Sequence, residues 1–107
     1  MNVEEGNRRI LYWLNNHGYH EPAWASSCDF RDPQYLLPVL AKPRWDVQWW
    51  CFYNLREDGT REYMYTVEIE DPDNDMIIMV EDRPDLIQAL WEALVEAADS
   101  ALRSDDA

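Results

Sequence analysis

The chain has 107 residues and a net charge of −13, with 47% hydrophobic residues and six tryptophans. A chain of this length suits one domain, and this much apolar and aromatic material supplies a core, which excludes intrinsic disorder despite the charge. The longest uncharged apolar runs, around 35–41 and 76–80, fall short of the ~20 residues that cross a bilayer, and Glu4 and Glu5 stand where a signal peptide would be basic, so a cytoplasmic protein with no membrane partner is expected.

In chain order, Asn2 followed by Glu5 forms a capping box, and Ile10, Trp13, Leu14 and His17 recur at helical spacing until Gly18, which predicts a helix over 3–17. The stretch 19–30 has no period and is expected to wrap the core, with Trp24 as its anchor. Asp32 and Pro33 then read as an N-cap with proline at the first helical position, opening a short second helix through Leu36, Leu37 and Leu40. Trp45, Val47, Trp49, Cys51 and Tyr53 alternate with Asp46, Gln48, Trp50, Phe52 and Asn54 as a strand, and Asp58-Gly59 supplies a hairpin turn. The next strand places Tyr63, Tyr65, Val67 and Ile69 on one face and Glu62, Met64, Thr66, Glu68 and Glu70 on the other. A polar loop at 71–75 leads to a third strand over 76–81, both of whose faces are apolar, so its register is weakly specified. The last helix is read with Asp82 as its cap, Pro84 in its first turn, and Leu86, Ile87, Leu90, Trp91, Leu94, Val95, Ala98 and Leu102 as an apolar stripe. The fold class is therefore α+β: an N-terminal helix, a short second helix, a three-stranded antiparallel β-meander and a long C-terminal helix. It forms one domain over 1–103, with 104–107 as a frayed acidic tail.

The charge is polarised. Six acids and six bases balance within 1–56, whereas 57–107 holds sixteen acids against Arg61, Arg83 and Arg103 and carries the whole −13. Such asymmetry points to an acidic, partner-facing side, and the lack of a basic stripe argues against direct nucleic-acid binding.

Candidate chemical sites have plain structural readings. His17, His20, Cys28 and Cys51 match no standard zinc spacing, and His17 is explained by the helix C-terminus it complements. The two cysteines are read as free thiols. Ser26, Ser27 and Cys28 lie near His20 without a nucleophile elbow or a glycine-rich phosphate loop. Asp71, Asp73 and Asp75 imitate the start of a calcium loop, but Met76 and Asp82 stand where its glycine and glutamate belong. No catalytic residue, metal or cofactor is assigned, and a non-enzyme is expected. A small metal protein or enzyme using His17, His20 and Cys28 is the alternative of another class.

Trp13, Trp45, Trp49 and Trp91 fall on core stripes. Trp50, Phe52 and Met64 share the opposite sheet face, which the first helix or the 19–41 segment is expected to cover. Left open, it would be a partner or homodimer interface. Carboxylates at i and i+2 on a strand, such as Glu68 and Glu70, stand ~6.8 Å apart, near two per-strand charge rises of DNA. Glu68, Glu70, Asp71, Asp73, Asp75, Glu81 and Asp82 thus form a candidate phosphate-like array, with Tyr53, Tyr63 or Trp50, if exposed, as an apolar anchor.

In the topology of 1–103 and in its acidity, the chain resembles the small inhibitors by which phages and mobile elements block nucleic-acid-handling defence, DNA-mimicking anti-CRISPR proteins among them. The resemblance implies an inhibitor, acting in the host-cell cytoplasm, that occupies the nucleic-acid site of a basic nucleic-acid-binding protein or nuclease complex. An immunity protein for a nuclease toxin and a self-associating phage accessory domain are the other readings.

Overall fold

The computed structural model describes residues 2–19 and 28–105. Its elements are α1 (Val3–Asn16), α2 (Pro33–Ala41), β1 (Asp46–Leu55), β2 (Arg61–Asp71), β3 (Met76–Arg83) and α3 (Leu86–Asp105), an α+β architecture with an antiparallel sheet in the order β1-β2-β3. His20, Trp24, Ser26 and Ser27 lie outside the described residues, as do the last two residues of the 104–107 tail. Among the described residues no helix is long and apolar enough to cross a membrane. Cys28 and Cys51 are thiols not joined in a disulfide.

Local chemistry accounts for the helix ends. The Asn2 side chain accepts the Glu5 N–H at 2.8 Å and the Asp32 side chain accepts the Gln34 N–H at 3.1 Å, so both expected caps are present. The cap of α3 is a correction. Asp85, and not Asp82, accepts the N–H groups of Ile87 and Gln88. Pro84 disfavours helical backbone at Arg83, so the strand runs on to Arg83 and the helix starts beyond the proline. The hairpin between β1 and β2 closes through Arg56 N–H to the Thr60 carbonyl and Gly59 N–H to the Arg56 carbonyl, with Gly59 at φ 87°. That left-handed position is one that glycine occupies without Cβ strain.

The helices lie on one side of the sheet. α3 packs across β2 and β3, and α1 and α2 pack against α3. Val67, Ile69 and Val80 from the sheet meet Ala89, Leu90, Ala93, Leu94 and Ala97 from α3, and α1 adds Ile10, Trp13 and Leu14. Full burial of each large apolar side chain contributes ~1.5–3 kcal/mol. The Trp91 ring packs against α1 at Gly6, which leaves room for it: a Cβ at Gly6 would stand 2.6 Å from Cη2 of the ring. Gly6→Ala gains about 1 kcal/mol of helix propensity, but the indole is anchored through its Nε1 to Asn7 Oδ1 at 3.0 Å and cannot turn away. Overpacking of this kind costs ~1–3 kcal/mol. The expected result is a net loss of stability, read as a lower denaturant midpoint at unchanged slope.

Two sequence expectations fail at β1. α3 spans the width of β2 and β3, and β3 pairs with β2 only from Tyr65 to Asp71. The hairpin formed by β1 and the first half of β2 therefore projects as an arm beyond the helical layer. Trp49, expected in the core, is 52% exposed, while Trp45 is half-buried and stacks on Trp13 at 5.0 Å. The face of Trp50, Phe52 and Met64, expected to be covered, is open, with Trp50 46% exposed. The arm lengthens the molecule to 50 × 31 × 22 Å, and its radius of gyration of 15.0 Å exceeds the ~13 Å of a compact chain of this size.

β3 settles its own register. Met76, Ile78 and Val80 face the helices, and Ile77 and Met79 face out. A bulge between the pairs Val67–Val80 and Tyr65–Arg83 places Glu81 and Asp82 together opposite Thr66, with Asp82 at φ 58°. The extra residue turns Arg83 inward, where its Nε donates to Glu92 of α3 at 2.6 Å.

Candidate interaction surface

The outer sheet face is built by strand parity. Even-numbered residues of β1 pair with even-numbered residues of β2, so Asp46 faces Glu70, Gln48 faces Glu68, Trp50 faces Thr66, Phe52 faces Met64 and Asn54 faces Glu62. β3 then sets Ile77 beside Glu70 and Met79 beside Glu68. The face has two zones: carboxylates at the end nearest the 71–75 turn, and Trp50, Phe52 and Met64 toward the hairpin tip.

Glu68 and Glu70 occupy the acidic zone as expected from the sequence. Asp73 and Asp75 are exposed in the adjoining turn, and Glu81 and Asp82 stand exposed at the bulge, one rung along from Glu68. Among the described residues none forms an ion pair with Asp46, Glu68, Glu70, Asp73 or Asp75, whereas Glu62 is paired with Arg56 at 3.4 Å. Directly opposed like charges on neighbouring strands destabilise a sheet, and Asp46 against Glu70 is such a pair.

Asp71 is a correction. It is buried on the inner side, where its carboxylate accepts Trp45 Nε1 at 3.2 Å, Asn74 Nδ2 at 2.7 Å and the Asp73 N–H at 3.1 Å. It holds the turn to the Trp13–Trp45 stack and takes no part in the surface array. Asp46 is the residue the sequence reading missed. Its signal was the hairpin register, because a turn centred on Asp58 brings position 46 opposite position 70.

The metal and catalytic alternatives can be followed in part. His17 Nδ1 lies 3.0 Å from the Trp13 carbonyl, and its ring stacks on Tyr19. Cys28 packs against the core. Among the described residues no group of three or more His, Cys, Asp or Glu is placed to hold a metal ion. A pocket of about 230 Å³ beside His17 is lined by Trp13, Tyr19, Arg44, Trp45 and Asp71, and the Asp71 carboxylate within it is already engaged by Trp45.

No family model, curated protein or solved structure matches the chain. The sheet face is the strongest candidate, since it combines exposed aromatic area with carboxylates that have no ion-pair partner among the described residues.

Proposed function

We infer that the protein is an acidic binding protein that occupies the nucleic-acid-binding surface of a basic partner. One observation carries the reading: Asp46, Glu68 and Glu70 are clustered on one sheet face with no ion-pair partner among the described residues, next to exposed Trp50 and Phe52. A fold that keeps opposed carboxylates at a cost to its own stability has use for them elsewhere. Carboxylates at strand spacing offer a basic groove a repeat comparable to a phosphate backbone, while the aromatic zone supplies desolvated contact area. A protein whose nucleic-acid site is so occupied is inhibited by competition. Block of a defence effector and neutralisation of a nuclease toxin both fit this description.

The test is capture from a lysate of the encoding organism with the immobilised full chain, at low and high salt, beside the variant Glu68→Lys/Glu70→Lys/Asp73→Lys. The reading expects a nucleic-acid-binding protein that is retained at low salt. It should be released by salt and by added duplex DNA or RNA, and should not be retained by the folded variant. Capture that is indifferent to the variant and to added nucleic acid contradicts the reading.

A further inference from the structure

The arm leaves β1 as an exposed edge of unusual composition. From Val47 to Leu55 it holds no charge, no proline and no glycine, and its side chains are exposed on both faces beyond Val47. Edge strands of soluble proteins are ordinarily blunted by lysine, proline or a bulge, and this one has none of these within that stretch. Arg56 N–H donates toward β2, and the register is regular back to Asp46. In an antiparallel ladder the direction alternates, so the odd residues Val47, Trp49, Cys51, Tyr53 and Leu55 turn their N–H and C=O groups to the open side.

We propose that this edge pairs with β1 of a second copy, antiparallel about a two-fold axis through Cys51, to form a continuous six-stranded sheet. Charge selects both the occupant and the register. Centred on Cys51, the strand is complementary to itself: Asp46 meets Arg56 of the other copy, Gln48 meets Asn54 and Trp50 meets Phe52 on the outer face. On the inner face, Val47 meets Leu55 and Trp49 meets Tyr53. A two-fold allows only registers shifted by whole pairs. Moving the centre to Trp50 sets Asp46 against Asn54, and moving it to Phe52 sets Arg56 against Gln48, so both neighbouring registers lose the opposite-charge pair.

The same register accounts for the exposed inner-face residues. Leu55, 71% exposed, would reach the other copy's groove of about 390 Å³ between α2 and β1, which is lined by Leu37, Leu40, Val47 and Trp49. Leu37 and Tyr53, both exposed in the single chain, are covered by the same step. Because the axis runs perpendicular to the sheet, the two acidic zones end on the same side. The dimer pairs Asp46 with Arg56 of the other copy and leaves Glu68 and Glu70 as the carboxylates of each acidic zone.

Sedimentation equilibrium of the full chain is expected to give twice the chain mass, dissociating on dilution. Asp46→Arg alone and Arg56→Asp alone each create like-charge pairs twice across the axis and should weaken the dimer by about tenfold. The two together should restore it. In a Cys28→Ser background, mild oxidation should link Cys51 to its symmetry mate, whereas Cys28→Ser/Cys51→Ser/Tyr53→Cys should remain unlinked. A single-chain mass at every concentration overturns the proposal. So does a dimer that the charge swap fails to restore, or one that cross-links through position 53 as readily as through 51.

Discussion

Asn7→Ala is expected to cost about 2–4 kcal/mol, a large share of the stability of a small domain. One side chain joins three segments. Asn7 Oδ1 accepts the N–H of Phe30 at 3.1 Å and Nε1 of Trp91 at 3.0 Å, while its Nδ2 donates to Asp29 at 3.2 Å. Phe30 and Trp91 are both buried. Alanine would remove the acceptor that both donors share, at ~1–3 kcal/mol for each hydrogen bond lost. Asn54→Ala, on the exposed arm, is the control and should stay within ~0.5 kcal/mol of wild type. Chemical denaturation of the three proteins decides the matter; equal midpoints would remove Asn7 from this role. Acid should weaken the same corner. Hydrogen bonds from Arg31 hold the Asp29 carboxyl well below the usual carboxylate range. Its contribution is therefore complete above ~pH 4 and lost as pH falls toward that depressed value.

Glu68→Gln/Glu70→Gln is expected to move stability and binding in opposite directions. Glutamine keeps the shape of glutamate and removes the repulsion between Glu70 and Asp46, which should raise stability by ~0.2–1 kcal/mol. Affinity for a basic partner should fall at least about tenfold, because the lost charges were aimed at that partner. If the acidity serves solubility alone, the stability gain appears and no binding is lost. The pair of signs separates the two accounts where a loss of binding alone would not.

Much of the fold was legible because it rests on local rules. The Asn2 and Asp32 caps, the apolar stripe of α3 and the Asp58-Gly59 turn each follow from a few neighbouring residues. Asp71 was legible in principle: with Val67 and Ile69 facing inward, period two carries position 71 to the same side. Its aspartate chemistry suggested surface, and the Trp45 indole that satisfies it comes from a distant strand. The positions of Trp49 and Trp50 depend on how far one element extends over another. Alternation tells which residues share a face, but not that α3 ends its coverage at β2 or that β3 is too short to back the hairpin tip. The bulge at Glu81 and Asp82 was equally hidden, since both faces of β3 are apolar and its register came from packing against α3.

Direct binding to the captured partner over a salt series is the most pointed measurement of whether the acidic sheet face is the interaction surface. Wild type should bind tightly at low salt and weaken steeply as salt rises, and the Glu68→Gln/Glu70→Gln protein should bind at least about tenfold more weakly with a shallower salt dependence while melting no lower. Equal affinity and equal salt dependence for the two proteins would contradict the account.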